Sequence, residues 1–201
     1  MGTREQILEK VRASGRQFVP LPRIPNFAGD PHDLSEKFES ALKMVAGSVV
    51  RVPPKDFDQF LRETFPNAKT IYSTAPEVRG NLRVEDIGEW SNASQIDVTI
   101  VRSPLGVAET GSVLLSEKEL LVNAIGLFAH DIIILLDRKE IVPDIHAAYQ
   151  HPHFRDRAYA VLMSGPSGTG DIGGKTVHPA QGVMTLMVIY WPTTITNSES
   201  V

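Results

Sequence analysis

The segment from Ser164 to Asp171 has the residue types of an anion-binding loop. It reads Ser-Gly-Pro-Ser-Gly-Thr-Gly-Asp and directly follows the apolar residues 159–163, which predict a buried strand. Glycines let a backbone approach a ligand closely, and successive N–H groups in such a loop can form a concave anion site. The candidate ligand contacts are Gly165, Ser167, Gly168, Thr169, Gly170 and Asp171. Because ligands of open α/β sheets bind beyond the carboxyl ends of the strands, we expect the loop at that edge. A tight turn with a helix cap uses the same residue types, so both interpretations stay open.

A second candidate is the carboxylate of Glu109, at the bend Glu109-Thr110-Gly111-Ser112. The apolar flanks 107–108 and 113–115 predict two neighbouring strands joined through this glycine-dependent bend. A carboxylate buried between them would be costly unless it is paired or lines a cleft. Glu109 could therefore be a catalytic base, a nucleophile or a ligand anchor, with Thr110, Gly111 and Ser112 as ligand contacts. Alternatively, it holds the turn by accepting hydrogen bonds from backbone N–H groups.

Cationic and imidazole side chains could complete such a site. Arg102 ends the strand that leads to Glu109, and Lys175 and His178 follow the glycine loop closely. Each could contact an anionic ligand, and each is also typical of a solvated surface. The pair His151 and His153 has chelating spacing, but the intervening proline favours a surface loop, so we predict no metal site. Arg79 and Arg83 are weaker cationic candidates.

These residues depend on alternating strands and helices for their placement. Period-two and continuous apolar runs predict strands at 48–52, 70–73, 97–101, 106–108, 113–115, 131–136, 159–163 and 185–190. Helical spacing predicts helices at 3–13, from 33 or 35 to 46, after Pro53-Pro54 to about Phe65, and at 142–149 beginning at Pro143, with a short helix after the glycine loop. This alternation favours an α/β fold with a mostly parallel sheet flanked by helices.

Composition excludes several classes of protein. The chain has 201 residues and a formal net charge of −4, which disfavours a general nucleic-acid surface. It contains no cysteine, so thiolate-held iron–sulfur clusters and disulfides are excluded on this chain. The N-terminus lacks an apolar signal core, and the run 132–136 is too short to span a bilayer, so we expect a cytoplasmic protein without membrane insertion.

Proline and glycine divide the chain into three parts. Residues 14–33 contain four prolines and predict an extended linker. We therefore assign 1–32 to an N-terminal helix and Pro-rich arm, 33–192 to the α/β domain and 193–201 to a polar tail. The arm would suit a contact in a homodimer.

Two motifs carry a resemblance to a known family. The segment 107–115, Val-Ala-Glu-Thr-Gly-Ser-Val-Leu-Leu, resembles the strand-turn-strand motif of LUD-domain proteins. The segment 164–172 resembles their Ser-Gly-Pro-Ser-Arg-Thr-Ala-Asp-Ile loop, and the two motifs occur in the same order. The resemblance covers about 70–191. The N-terminal helix and Pro-rich linker resemble those of the lactate utilization protein C-like members in outline. The chain departs from the pattern at Gly168, where the family usually has arginine, and at Gly170, where it usually has alanine. The first change removes a charge partner for a carboxylate or phosphate.

The resemblance implies both a fold and a function. The fold would be the three-layer NagB/RpiA/CoA transferase-like type. The function would be that of a cluster-free accessory subunit that works with iron–sulfur partner proteins in the oxidation of L-lactate to pyruvate. Iron–sulfur clusters are then expected only on those partners, and a small organic anion would occupy the cleft. The alternatives are a stand-alone enzyme or a binding module for a coenzyme A, folate or sugar-phosphate type of ligand.

Overall fold

A sheet of five parallel strands forms the centre of the molecule. The computed structural model describes residues 3–14, 20, 22, 34–87, 94–166, 168–172, 175–177 and 182–193. With strands numbered in chain order, the sheet contains β1 (Ser48–Val50), β2 (Ile71–Ser73), β3 (Val98–Ser103), β6 (Asp131–Leu136) and β11 (Thr185–Tyr190). Their order is β1-β11-β6-β3-β2, and each neighbouring pair is parallel. The predicted α/β class with a mostly parallel sheet is confirmed.

Apolar side chains cover both faces of this sheet. Every residue of β6 is buried, and its side chains alternate between two clusters: Ile132, Ile134 and Leu136 face one, and Ile133 and Leu135 face the other. Helix α2 (Leu34–Met44) packs on the first face through Phe38 and Leu42. Helix α3 (Phe57–Thr64) packs on the second through Leu61. A continuous apolar run is the expected sequence of a strand buried on both faces.

A second sheet packs on the α2 side of the first. It contains β4 (Gly106–Val107), β5 (Ser112–Ser116), β7 (Ile141–Val142) and β8 (Ala160–Met163), in the order β7-β4-β5-β8. The antiparallel β4–β5 pair confirms the predicted strand-bend-strand. The prediction that β8 is a buried strand was wrong. It is an edge strand, antiparallel to β5, and all four of its residues are only partly buried.

The chain after the glycine loop continues as a hairpin. Strands β9 (Thr169–Ile172) and β10 (Lys175–Val177) pair antiparallel, so over these described residues a hairpin replaces the predicted short helix, while residues 178–181 lie outside the described part. The sequence has a physical reason for the hairpin: Thr169, Ile172, Thr176 and Val177 are β-branched, and two glycines separate the segments.

Six further α-helices are described, and all but the first of them have only four to six residues. Beyond α2 and α3, they are α1 (Thr3–Ala13), α4 (Val84–Ile87), α5 (Glu117–Leu120), α6 (Ile125–Phe128), α7 (Ile145–Gln150) and α8 (Pro152–Arg155). Helices α3 and α7 begin after the capping aspartates Asp56 and Asp144 and therefore start later than the proline-based prediction. Helix α1 has no buried residue, and the three-part division of the chain stays a prediction. Within the described part of the chain, no helix has the length and apolar character that crossing a bilayer requires.

Candidate functional site

The two motif bends lie side by side. The Ser164 hydroxyl donates to the backbone oxygen of Thr110 at 2.7 Å. The hydroxyls of Thr110 and Ser112 are 2.5 Å apart. The two bends are therefore in direct contact. Ser167 and His178, two of the predicted ligand contacts, lie outside the described residues.

The carboxyl-terminal half of α2 lies directly on both bends. Gly111 and Gly165 have φ angles of 62° and 68°, which L side chains rarely adopt. A Cβ at Gly111 would lie 2.2 Å from the backbone nitrogen of Leu42, and one at Gly165 would lie 2.1 Å from the backbone oxygen of Val45. At these two predicted ligand contacts, α2 and the turn that follows it fill the space on the side where a Cβ would lie. Close packing of two backbones is sufficient reason for both glycines.

Glu109 is an exposed residue that supports the amino end of α7. Its Oε2 atom accepts a hydrogen bond from the Ile145 N–H at 3.1 Å. The residue is exposed, and its contact with a backbone N–H is of the kind that the alternative interpretation of Glu109 expected. It also lines an open groove of about 480 Å³ between α2 and residues 143–144, together with Lys37 and Ser40. A catalytic role for Glu109 stays a prediction.

The glycine loop begins at the edge of the sheet opposite to the predicted one. Ser164–Pro166 share a cavity of about 370 Å³ with Leu127 and Phe128, which precede β6, and with Gly182 and Val183, which precede β11. These are the amino ends of the parallel strands. The predicted position at the carboxyl edge was wrong because β8 belongs to the second sheet and runs antiparallel to β5. Gly168 is exposed, Thr169, Gly170 and Asp171 lie in β9, and Lys175 lies in β10.

A cleft of about 390 Å³ lies at the carboxyl edge of the parallel sheet. Four strands contribute to it: Thr74 follows β2, Arg102 and Ser103 end β3, Asp137 follows β6, and Thr193 comes shortly after β11. Its other lining residues are Pro104, Lys118, Glu119, Glu140 and His153. This edge is where open α/β sheets bind their ligands.

Arg102 is the cation on the central strand of this cleft. Its Nη1 donates to the backbone oxygen of Trp191 at 3.2 Å, and its Nη2 lies 2.5 Å from Oε1 of Glu77. The side chain is only 19% exposed. Nε is buried and donates to no acceptor within the described residues, and the contact of Nη2 with Glu77 lacks hydrogen-bond geometry. A buried guanidinium with unused donors can bind an anionic ligand by donating hydrogen bonds to it.

A buried ion pair forms another wall of the cleft. Arg157 donates through Nη2 to Oε1 of Glu119 at 2.9 Å, and the two side chains are 7% and 11% exposed. The Ser116 hydroxyl donates to the other oxygen of Glu119, and the Thr74 hydroxyl donates to its backbone oxygen at 2.6 Å. Both carboxylate oxygens of Glu119 are thus occupied by partners on this chain, and the residue is held in place at the wall of the cleft.

Asp137 carries a fixed negative charge at the floor of the cleft. Burial raises its pKa, but the backbone N–H groups of Lys139 and Thr193 donate to the carboxylate at 3.0 and 2.8 Å. These donors outweigh burial, so the pKa of Asp137 ends below its ordinary value and the group is anionic at neutral pH. The cleft therefore combines cations, anions and hydroxyls, which is suited to a small polar ligand.

The sequence identified only part of this cleft. Arg102 was predicted, while Lys118, Glu119 and Asp137 were missed, and the candidates Arg79 and Arg83 are exposed. Thr74 and Asp137 each directly follow a predicted strand, which is a signal that could have found them. His151 caps α8, and no group of three possible metal ligands occurs in the described ranges.

These observations define an α/β protein with an open parallel sheet and a polar cleft at its carboxyl edge, consistent with the NagB/RpiA-type fold. The model of the LUD domain family matches residues 91–190, and the chain belongs to the LUD-domain family, which is associated with lactate utilization. A crystal structure of a DUF162 family protein from Deinococcus radiodurans superposes with a TM-score of 0.57 at 16% identity. The match covers 85% of this chain and 99% of that chain, and it shows a shared fold. Among curated proteins, no relative matches the chain.

Proposed function

We propose that this chain is a cluster-free component of a system that oxidises lactate or a similar hydroxy acid, and that Arg102 binds the carboxylate of the acid. Membership in a family associated with lactate utilization supports the hydroxy-acid class. The absence of cysteine means that any iron–sulfur cluster in the system belongs to another protein.

One observation carries the assignment of the site. The guanidinium of Arg102 lies at the carboxyl end of a central strand and keeps a buried Nε donor without an acceptor in the part of the chain that the structure describes. A guanidinium presents donors in the geometry that a carboxylate accepts. The hydroxyls of Thr74 and Thr193 line the same cleft and could contact the hydroxyl of the ligand. Glu109 is a weaker candidate for the ligand-binding residue, because it is exposed and already accepts a hydrogen bond from the Ile145 N–H.

Isothermal titration calorimetry with L-lactate tests the binding site directly. We expect the unchanged chain to bind L-lactate and the Arg102→Met variant to lose binding. Arg79→Met is the matched control, because Arg79 is exposed on the loop after β2 and does not line the cleft. A ligand at 100 times its dissociation constant adds roughly 2.7 kcal/mol of stability. For a chain of this size that corresponds to a rise in Tm of about 5–10 °C.

The outcomes distinguish an error in the proposed ligand from an error in the proposed binding site. If L-lactate and related hydroxy acids bind neither the unchanged chain nor the Arg79→Met control, the proposed ligand is wrong. If they bind and Arg102→Met binds equally well, the site is elsewhere. The system itself is tested by affinity purification of the tagged chain from its own cells, where co-purifying proteins with iron and visible absorbance support the proposal. Purification of the chain without them, in cells growing on lactate, would contradict the accessory role.

A further inference from the structure

We propose that Glu77 is a built-in competitor for Arg102 that sets the charge selectivity of the cleft, so that singly charged ligands are favoured over doubly charged ones. This inference rests on the proposed role of Arg102 as the anion-binding residue. The starting observation is the contact of 2.5 Å between Glu77 Oε1 and Arg102 Nη2. Both side chains are mostly shielded from solvent, at 23% and 19% exposed. Screening by water and salt is therefore weaker than for a surface pair.

The loop that carries Glu77 is anchored on both sides of it. Ala75 and Val78 are buried, at 4% and 7% exposed, and both belong to the apolar cluster under α3. The Ser73 hydroxyl donates to the backbone oxygen of Val78 at 2.7 Å. The N–H of Val78 donates to the backbone oxygen of Ala75 at 3.3 Å. The backbone at Glu77 is thus held close to Arg102 by the fold, so that only side-chain entropy remains to be lost when the pair forms.

Pairing with Glu77 neutralises the positive charge of Arg102 that an anion would meet. Two cations, Arg102 and Lys118, and three carboxylates, Glu119, Asp137 and Glu140, line the cleft. Glu77 adds a further negative charge beside Arg102. The lining residues alone therefore carry one more negative charge than positive charges. An entering monoanion must displace or share the Glu77 contact. A dianion such as a phosphate ester must do the same, and the net negative charge of the site repels it about twice as strongly as a monoanion.

Replacing Glu77 by glutamine tests the charge without changing the shape. The amide keeps an oxygen that can accept from Arg102 and removes one negative charge. We expect E77Q to bind L-lactate about tenfold more tightly, because the side chain beside Arg102 then no longer competes with the ligand as an anion. For glycerol 3-phosphate we expect a larger gain, so that the preference for lactate over the phosphate ester becomes smaller. Glu140→Gln is the matched control: it removes a carboxylate from the same cleft, but from the 3₁₀ turn after β6 and not from the Arg102 contact.

Calorimetry of the three proteins with both ligands gives decisive outcomes. A smaller preference for lactate in E77Q, with a clearly weaker effect of Glu140→Gln, supports the proposal. Binding of lactate by E77Q and not by the unchanged chain contradicts the proposed function, which requires the unchanged chain to bind the acid. An unchanged preference in E77Q overturns the role of Glu77 and leaves the Arg102 site intact. A preference of the unchanged chain for glycerol 3-phosphate over lactate likewise overturns the role of Glu77 and leaves the Arg102 site intact. If neither ligand binds any of the three proteins, the proposed function itself is wrong.

Discussion

A methyl group added at Gly111 should destabilise the protein without touching the cleft. In Gly111→Ala the new Cβ would start 2.2 Å from the Leu42 nitrogen and 2.5 Å from its Cα, where ordinary contact begins at 3.4 Å. Both atoms belong to the backbone of α2, so no side-chain rotation relieves the contact. Helix α2 must shift, although Phe38 and Leu42 fix it in the core with no exposed surface.

Two costs add in this variant. A non-glycine residue in the left-handed region costs about 1–2 kcal/mol. Overpacking against a rigid neighbour costs about 1–3 kcal/mol more. The expected loss of unfolding free energy is therefore about 2–5 kcal/mol, which lowers the Tm by about 4–20 °C in a chain of this length. Urea unfolding monitored by circular dichroism measures the free energy, and thermal unfolding measures the Tm.

Gly126→Ala is the matched control for this prediction. Its new Cβ would meet only the tip of the Leu120 side chain at 2.9 Å, and Gly126 lies in the short helix α6 without a positive φ. Alanine gains about 0.5–1 kcal/mol over glycine in a helix, so the net change should be within about 1 kcal/mol of zero. A Gly111→Ala protein that loses no more stability than this control refutes the packing argument. In the folded variant, affinity for L-lactate should stay within about twofold of the unchanged chain, since distant sites act independently.

Two further predictions concern charged groups. Arg157→Met should lower the unfolding free energy by about 3–5 kcal/mol, because it leaves the buried Glu119 carboxylate without its partner. Urea unfolding measures this free energy. A loss below about 1 kcal/mol would show that the pair is not buried in solution. Asp97 has a pKa below its ordinary value of 3.8, mainly because the Thr70 N–H donates to it at 2.8 Å, with burial opposing the shift. Its contribution to stability is therefore present above the unfolded pKa and is lost as the pH falls below 3.8 towards the folded pKa. Asp97→Asn should be less stable than the unchanged chain near about pH 6, and the gap should shrink as the pH falls through 3.8. A gap independent of pH in urea titrations would contradict this sign.

The sequence predicts elements well where a local pattern decides them. The apolar run of β6 and the bend between β4 and β5 are visible in the residues themselves, and both are confirmed. The edge at which the glycine loop lies could not be predicted, because residues 159–163 have the composition of a central parallel strand. Their true partner, β5, is selected by tertiary packing. Placing β8 in the wrong sheet is sufficient to move the loop from one end of the molecule to the other.

The candidate site shows the same division between local and tertiary information. Arg102 could be predicted because it ends a strand, and Asp137 could have been added by the same rule. Lys118 and Glu119 could not, because they lie on the single-turn helix α5, whose position depends on the Arg157 pair and on the Thr74 hydroxyl. These contacts join segments that are distant in the chain, and no spacing pattern in the sequence reveals them.

Strand β5 gives the family motifs a physical connection to the cleft. It begins at Ser112, beside the bend that α2 covers, and ends at Ser116. The Ser116 hydroxyl caps α5, accepting from the Lys118 N–H at 3.2 Å and donating to the Glu119 carboxylate. Fixing the glycine bends against α2 therefore fixes the register of β5, and the register of β5 determines where Lys118 and Glu119 stand relative to Arg102. On this account the motif residues act on the ligand through the position of a strand, and their replacement should reduce the amount of folded protein before it changes the affinity of the cleft.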